Sequence, residues 1–290
     1  MKVALICCGR LENQYAVEFV EYYQNLGFDN IYICDNNYDS DEPSEHFETV
    51  LQPYIETGFV IIRNYRNYPG VQMYCYQTTY QDISNNYDWV TFLDFDEFLT
   101  FTKDNNVKDY LSRNCFKKYK QILINWKTYG DNNLIYNDDK PCLERFTKPR
   151  PKYADGKFKM PENLHVKYFL RTKLNISDIN ITQHAAYGEL LNNYTCNNKG
   201  IKITDIKPFQ EINWSLAYIK HFTTKTIDEF INNKFIKGTC DGNQNFPNYP
   251  IEWFFKYNKI TNKKLKYLKE HNIDIHHINK EYIDNWSPKY

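Results

Sequence analysis

The sequence predicts an α/β protein with a mixed, mostly parallel central sheet flanked by helices. Its first hundred residues alternate apolar, β-branched segments with amphipathic helical ones, which is the pattern of βαβ units. One predicted strand, residues 89–93, runs directly into three carboxylates, Asp94, Asp96 and Glu97. Ligands of such sheets bind beyond the carboxyl ends of the strands. We therefore expect the ligand site at this acidic segment.

The first half of the chain predicts strands and helices in strict alternation. Residues 12–26 carry an apolar stripe at helical spacing, which Gly27 ends as a C-cap. The second strand leads into a polar loop that begins at Asp35. The predicted strands are 3–8, 31–34, 58–63 and 89–93, and the predicted helices are 12–26, 44–51 and 71–83.

The second half of the chain gives a weaker signal. Residues 129–161 are interrupted by several prolines and predict a long irregular segment. Such segments often form lids or binding loops, so this one is the candidate acceptor-binding region. The other predicted strands are 121–126, 166–170, 201–206 and 216–222, and the other predicted helices are 107–113, 226–235, 262–270 and 279–284.

Composition narrows the class of ligand. The 290 residues, 42% of them apolar, suffice for one large α/β domain or two small ones with a sizeable core. The 36 basic and 36 acidic side chains cancel without forming a block of one charge, so no general affinity for nucleic acid is indicated. Aromatic residues make up 17% of the chain, and their flat faces suit sugar rings.

The cysteines and the N-terminus indicate a reducing compartment. Cys7 and Cys8 are adjacent and the other six cysteines lie far apart, so neither a zinc site nor a disulfide framework is predicted. The apolar run 3–8 is too short for a signal peptide, and no run of 18 apolar residues occurs. We expect a cytoplasmic protein.

Several motifs stand in a fixed order along the chain. They are Arg-Leu-Glu at 10–12, Glu-Phe-Val-Glu-Tyr-Tyr at 18–23, Asp-Asn-Asn-Tyr-Asp at 35–39, Asp-Phe-Asp-Glu-Phe at 94–98 and His-Phe-Thr-Thr-Lys-Thr at 221–226. Together they resemble the glycosyltransferase family 2-like proteins of GT-A fold, in the branch with R-N-E, D-x-D-E-F and a late H-x-x-x-K motif. Leu11 departs from that pattern, and Asp39-Ser40-Asp41 is shifted within it.

The resemblance implies a transferase that moves a sugar from a UDP- or GDP-sugar to a hydroxyl acceptor, with a divalent metal on the diphosphate. Residues 1–240 would form the GT-A domain, with a nucleotide-binding half at 1–103 and an acceptor half at 104–240. Residues 241–290 would be its helical extension. Surface polysaccharide or other glycan synthesis is the expected setting. A lipid-linked acceptor would place the protein at the inner face of a membrane.

The metal ligands implied by the resemblance are Asp94, Asp96 and the late histidine, His221. Carboxylate oxygens suit Mg²⁺ and Mn²⁺, and imidazole favours Mn²⁺. The cation would stabilise the charge that grows on the leaving diphosphate. Glu97 is expected to support this site, and His184 also matches a family histidine. The structural alternatives are a solvated acidic turn and a histidine that only packs.

The donor-binding residues implied by the resemblance are basic and Asx side chains. Arg171 and Lys225 are expected to meet phosphate oxygens. Asp35 and Asn37 would hydrogen-bond the nucleoside, and Arg10 would flank the base. A simple Asx turn is the alternative for the loop after the second strand.

The catalytic base stays open. An inverting enzyme needs a carboxylate within hydrogen-bond reach of the acceptor hydroxyl. Glu189, Glu144 and Asp241 lie in suitable predicted loops, and Glu189 is the first choice because its distance from the D-x-D segment fits the family. A retaining enzyme would need no base at that place.

Three other functions remain as alternatives. A non-catalytic nucleotide- or glycan-binding protein could keep the same fold. A D-x-D phosphohydrolase would use Asp94 as nucleophile and Asp96 as acid/base, but its pattern needs Thr or Val in place of Phe98. A sugar nucleotidyltransferase would need a glycine-rich loop after the first strand, where this chain has Gly9 alone.

Overall fold

The computed structural model describes residues 1–41, 44–154, 158–159, 161–235 and 251–275. Its strands are β1 (Val3–Gly9), β2 (Asn30–Asp35), β3 (Val60–Asn64), β4 (Trp89–Phe92), β5 (Glu97–Phe101), β6 (Gln121–Thr128), β7 (Tyr153–Ala154), β8 (Phe158–Lys159), β9 (Val166–Arg171), β10 (Asn180–Ile181), β11 (Ala186–Tyr187), β12 (Thr195–Asn197) and β13 (Ala217–His221). Its helices are α1 (Asn13–Asn25), α2 (Phe47–Glu56), α3 (Gln72–Ile83), α4 (Val107–Leu111), α5 (Cys142–Arg145), α6 (Pro161–Leu164), α7 (Glu189–Tyr194), α8 (Ile227–Glu229), α9 (Ile251–Tyr257) and α10 (Asn262–Glu270). The helix predicted at 279–284 lies outside the described residues.

The main sheet has the order β3-β2-β1-β4-β9-β6-β13-β5. Strands β1 to β4 are parallel. The next strand, β9, is antiparallel to both of its neighbours, β4 and β6. At the far edge, β13 is parallel to β6 and antiparallel to β5, and β12 pairs with the start of β6. The predicted mixed, mostly parallel α/β sheet is thereby confirmed.

Apolar side chains cover both faces of the sheet. Along β1, Val3 and Leu5 belong to one buried cluster with Phe19 of α1, while Ala4 and Ile6 belong to a second cluster on the other face. A strand buried on both faces is a near-continuous apolar run, as the sequence of β1 shows. This packing fixes the strand ends that carry the polar loops.

Most predicted elements of the first half are found within one or two residues of their predicted bounds, and α2 is the exception. It was expected at 44–51, but it runs from Phe47 to Glu56 with Pro53 inside it. Proline removes one helical hydrogen bond, which is why an earlier end was expected. Phe47 and Leu51 are fully buried on the preceding turns, and this packing holds the helix in place.

The strand predictions for the rest of the chain were wrong in two respects. No strand was expected at β5, which begins directly after the acidic turn at 93–96, or at the short strands β7, β8, β10, β11 and β12. A strand was expected at 201–206, where the structure has only a single bridge between Cys196 and Lys202. The predicted helix at 226–235 begins as α8 with a capping box between Thr226 and Glu229 and continues as a π-helical segment.

The chain forms two compact units. The described part of the first consists of residues 1–128 and 151–221, and it contains the main sheet. The second consists of residues 129–150 and the described residues after 221. Its own apolar core joins α8, α9 and α10, and Arg145 makes two buried hydrogen bonds to Glu229 at 2.7 and 2.8 Å. The predicted boundary at residue 240 stays a prediction, because residues 236–250 are not described.

Helices able to cross a membrane are missing from the described residues, since none combines sufficient length with sufficient hydropathy.

Gly9 ends β1 at a point of close packing. A Cβ atom built at this position would lie 2.5 Å from Cε2 of Phe95 and 2.9 Å from Cζ of Phe47. The Phe95 ring stacks on Phe47 with centroids 5.2 Å apart, and it belongs to the acidic turn between β4 and β5. The missing side chain of Gly9 therefore lets the acidic turn pack on the end of β1.

We expect Gly9→Ala to destabilise the protein by about 1–3 kcal/mol, because it overpacks the space that Phe95 occupies. Urea unfolding measures the loss. Phe95→Leu is itself destabilising, but in the Gly9→Ala background it should cost less than it does alone. Strictly additive losses would show that the two positions do not share this space.

Candidate functional site

The acidic segment forms a turn that its own side chains close. Asp94 and Asp96 lie between β4 and β5, and Glu97 is the first residue of β5. The backbone N–H of Glu97 donates to the carbonyl of Asp94 at 3.0 Å. In return, the N–H of Asp94 donates to Oε2 of Glu97 at 3.0 Å. The turn is therefore a defined structure and not a loose solvated loop.

Lys167 of β9 places a positively charged side chain against this turn. Its side chain is fully buried, with Nζ 2.8 Å from Oδ2 of Asp94 and 3.3 Å from Oε2 of Glu97. Because β9 runs antiparallel to β4, the amino end of β9 lies at the carboxyl end of β4. Burial acts to lower the pKa of Lys167, but the two carboxylates outweigh it and the pKa is raised. The side chain is therefore charged at neutral pH.

Asp94 is held by three donors. Its Oδ2 accepts from Lys167, and its Oδ1 accepts from Nε2 of Gln72 at 2.7 Å and from the hydroxyl of Tyr76 at 3.2 Å. Burial acts to raise the pKa of Asp94, but the charge and hydrogen bond of Lys167 outweigh it and the pKa is lowered. Asp94 is thus an ionised carboxylate in a fixed orientation.

Glu97 has the opposite protonation state. Its side chain is fully buried, and its Oε1 has no hydrogen-bond partner among the described residues. Burial raises its pKa to about 8. The positive charge of Lys167 acts to lower this pKa, and the negative charges of Asp94 and Asp96 act to raise it. At neutral pH Glu97 is therefore mostly protonated, and Lys167 chiefly neutralises Asp94.

Asp96 and His221 meet at the edge of the sheet. Nε2 of His221 lies 3.5 Å from Oδ1 of Asp96, and both residues are 6% exposed. His221 is the last residue of β13 and pairs in register with Glu97 of β5. An imidazole nitrogen beside a carboxylate oxygen is a donor set that fits Mn²⁺. The third predicted ligand, Asp94, faces Lys167 instead.

A different group of three side chains has the spacing of a metal site. In the described part of the chain, Asp35, His46 and Glu48 offer ligand atoms that all lie within 4.8 Å of one another, and Asp94, Asp96 and His221 do not. His46 and Glu48 are exposed. Asp35 already accepts from Arg66 at 3.1 Å, so a cation here would compete with that guanidinium.

The loop after β2 brings the predicted nucleoside residues together. Oδ1 of Asp35 accepts from Nδ2 of Asn37 at 2.7 Å, and Oδ1 of Asn37 accepts from the N–H of Leu11 at 2.7 Å. Arg10 pairs with Asp41 and lies 3.9 Å over the ring of Tyr38. The structure thus places Arg10, Asp35 and Asn37 beside one another at the ends of β1 and β2.

Leu11 adopts a backbone conformation that the related motif explains. Its φ is 55°, in the left-handed region. Asparagine, which the resembled family has at this position, tolerates that region better than leucine does. In this chain the turn forms with leucine, which tolerates that region less well.

The position of Arg171 does not support a phosphate contact. Arg171 pairs in register with Trp89 at the start of β4, whereas Asp94 follows the other end of this strand. Its Nε donates to the carbonyl of Tyr119 at 2.9 Å, and its guanidinium lies 4.4 Å over the ring of Trp89. The basic side chain of β9 that reaches the acidic turn is Lys167, four residues earlier.

Glu189, the first choice for the catalytic base, lies near the start of β6, whereas His221 lies at the end of β6. Glu189 is exposed at the start of α7, just after β11. The N–H of Ala186 in β11 donates to Oε1 of Gln121, the first residue of β6. His221 pairs with Thr128 at the other end of β6, about 23 Å away at 3.3 Å per residue.

The remaining predicted residues belong to the second unit or lie outside the described residues. Glu144 is exposed on α5 of the second unit. Lys225 is buried in the same unit, with φ 53° just before α8. Asp241 lies outside the described residues. The base therefore stays unassigned.

Trp126, which sequence reasoning did not select, packs against His221. The ring of Trp126 lies 4.1 Å from that of His221, 4.6 Å from that of His165 and 5.3 Å from that of His184. Nδ1 of His184 donates to the carbonyl of Val166 at 3.0 Å, which leaves Nε2 with its lone pair. Burial, together with the charge of Lys167, lowers the pKa of His184 to about 3, so this ring is neutral.

Several solved structures are similar to the chain. S. aureus TarS matches with a TM-score of 0.44 and 12% identity over 77% of this chain and 37% of its own. S. aureus TarS 1–349 in complex with UDP-GlcNAc matches with a TM-score of 0.45 and 13% identity over 98% of this chain and 70% of its own. The mannosyltransferase PcManGT from Pyrobaculum calidifontis, in complex with GDP-Man and Mn²⁺, matches with a TM-score of 0.33 and 10% identity over 43% of this chain and 36% of its own. The chain thus spans 37% of the length of TarS and 36% of the length of PcManGT.

Sequence comparison identifies the family. No curated protein matches the chain. The family model of glycosyltransferase family 92 matches residues 5–277. The predicted resemblance to glycosyltransferases is thereby confirmed, while the family 2-like branch stays a prediction. Because the match extends over most of its length, the chain belongs to glycosyltransferase family 92.

Proposed function

We propose that the protein is a metal-dependent glycosyltransferase that moves a sugar from a UDP- or GDP-sugar to a hydroxyl group of a glycan acceptor. The observation that supports this most is the contact of Asp96 with His221, two buried ligand types 3.5 Å apart. They come from the turn after β4 and from the end of β13, which are distant in sequence. A packing role alone does not require this pairing.

Asp96 and His221 would hold Mn²⁺ or Mg²⁺, with Mn²⁺ favoured by the imidazole. When bound, the cation supplies positive charge to the diphosphate as the bond to the anomeric carbon breaks. The orphaned Oε1 of Glu97 lies buried in the same turn and is available to a further polar group. These residues fit such a cation without Asp94.

Asp94 would then bind the donor directly. Its side chain is 32% exposed, although it accepts hydrogen bonds from three buried side chains. An ionised carboxylate in a fixed orientation is a strong acceptor for sugar hydroxyl groups. The role of Lys167 is to keep Asp94 charged and still, which is a positioning role.

The nucleoside would occupy the ends of β1 and β2. Asp35 and Asn37 form one hydrogen-bonded unit there, and Arg10 lies over Tyr38 beside them. Guanidinium groups stack on planar rings, and stacking on the base is the role proposed for Arg10. Lys225 is the proposed phosphate contact, on the basis of the H-x-x-x-K motif alone.

The second candidate function is a glycan- or nucleotide-binding protein without turnover. The exposed position of Glu189 at the far end of β6 favours it, since the first-choice base is not at the site. Release of free UDP or GDP from a nucleotide sugar would distinguish the two functions, because binding alone does not release it.

Metal-dependent nucleotide binding tests the proposed site. UDP or GDP should raise the melting temperature by several degrees in the presence of Mn²⁺ and by little in its absence. Asp96→Asn should remove the metal-dependent part, since it removes the charge of the ligand and keeps its shape. Glu56→Gln, an exposed change on α2, is the matched control and should leave the shift intact. A full shift in Asp96→Asn would place the cation elsewhere.

Lys167→Met tests the buried cation. The substitution leaves the ionised carboxylate of Asp94 without compensation, and we expect a loss of about 3–5 kcal/mol in the free energy of unfolding. Adding Asp94→Asn should restore part of this loss, because the uncompensated charge is then gone. A loss below about 1 kcal/mol in Lys167→Met would mean that water replaces the ammonium.

Glu97 should make stability depend on pH. Its folded pKa of about 8 lies above the unfolded value of 4.5, so its contribution is full below pH 4.5 and is lost as the pH rises through 8. Glu97→Gln removes this dependence. Urea unfolding at pH 5, 6, 7 and 8 should therefore show the variant gaining on the wild type as the pH rises. A constant difference would mean that Glu97 ionises normally.

A further inference from the structure

Two lysines lie side by side on neighbouring strands. Lys127 of β6 and Lys220 of β13 are partners in the parallel register of these strands, which lie about 4.8 Å apart. Like charges that face each other across a sheet are destabilising. Among the described residues, no carboxylate forms an ion pair with either ammonium. Within the described part of the chain, the two positive charges therefore lie side by side without an ion-pairing carboxylate.

Aromatic rings complete this surface. Nζ of Lys127 lies 5.2 Å from the ring centre of Trp214 and 4.7 Å from that of Tyr218. Lys152 lies on the same indole, with Nζ 5.9 Å from the ring centre. All five residues of this lysine–aromatic patch are half-buried, so part of each residue is exposed to solvent. The five are Lys127, Lys152, Trp214, Tyr218 and Lys220.

The patch is rigid. Nε1 of Trp214 donates to the carbonyl of Trp126 at 2.9 Å, which fixes the indole against β6. The N–H of the preceding residue, Asn213, donates to Oδ1 of Asn125 at 3.0 Å. Tyr218 and Lys220 belong to a strand paired on both sides. A ligand would meet a surface that needs little ordering, which favours binding.

The patch also adjoins the proposed active site. Lys220 directly precedes His221, and Lys127 directly precedes Thr128, the residue that pairs with His221. Successive side chains of a strand point to opposite faces, so the patch lies on the face opposite His221 at the same end of the strands. None of its residues has a part in the proposed donor site.

Burial lowers the pKa of Lys127. An anion beside its ammonium group would relieve this cost.

We propose that the lysine–aromatic patch binds a sugar unit that carries a carboxylate or a phosphate and belongs to the acceptor glycan; this rests on the proposed glycosyltransferase function. The ammonium pair supplies the charge for the anionic group. The indole and phenol rings supply apolar faces for the sugar ring. Anionic lipid is disfavoured as the occupant, because polybasic lipid-binding segments carry about four to eight basic residues and the patch has three.

Titration with defined oligosaccharides tests this proposal on the full chain. The probes are hexagalacturonate, phosphorylated maltohexaose and unmodified maltohexaose, followed by calorimetry at low salt. At least one anionic probe should bind at least tenfold more tightly than maltohexaose, and added salt should weaken it. The variant Lys127→Gln/Lys220→Gln should lose at least tenfold in that affinity, and Trp214→Ala should also weaken it.

Three controls separate the proposal from other causes. Lys2→Gln, an exposed change of the same charge just before β1, should leave the affinity unchanged. Lys127→Arg/Lys220→Arg should retain most of it. Binding of UDP or GDP with Mn²⁺ should be the same in Lys127→Gln/Lys220→Gln as in the wild type. This last measurement reports on the proposed function independently of the patch.

Several outcomes would overturn the proposal. They are equal binding of maltohexaose and the anionic probes, binding of neither anionic probe, and unchanged affinity in Lys127→Gln/Lys220→Gln. Inorganic phosphate that binds as tightly as the phosphorylated probe would show a simple anion site instead of a sugar site. Binding to phosphatidylglycerol vesicles without binding to either anionic probe would assign the patch to a membrane.

Discussion

The ammonium group of Lys167 is the constraint on which the acidic turn depends. A buried carboxylate without a partner costs several kcal/mol, and this turn has three carboxylates within four residues. Lys167 keeps Asp94 ionised, while Glu97 avoids the cost by retaining its proton. Asp96 then remains as the carboxylate that faces His221. One buried cation thus divides three similar side chains into three different roles.

Strand direction explains how this arrangement is assembled. The parallel strands β1, β2 and β4 bring their loops to one edge, as in other α/β sheets. The antiparallel strand β9 adds its amino end to that edge and so delivers Lys167. At the other side, β13 returns parallel to β6 and delivers His221 beside β5. The site therefore needs both directions of strand in one sheet.

This also explains which features could be predicted from sequence. Hydrophobic periodicity predicted β1, α1, α3 and the loops that hold Arg10 and Asp35, because these depend on local pattern alone. It does not encode strand direction. Arg171 was implied by the family resemblance, and only the antiparallel direction of β9 shows that Lys167 is the residue that reaches the turn. Glu189 was chosen for its distance along the chain, which says nothing about the end of β6 at which it lies. The strand β5 was missed because its pairing partner, β13, lies more than 100 residues later, which a local pattern does not show.

The register between β5 and β13 has a consequence for how this family can change. His221 pairs with Glu97, and Lys220 pairs with Phe98. Insertion or deletion of a single residue in β13 would exchange the two faces, turning a lysine toward Asp96 and a histidine toward Lys127. Both surfaces would be lost in one step. The length of this five-residue strand is therefore expected to resist evolutionary insertions, even where its individual side chains are free to vary.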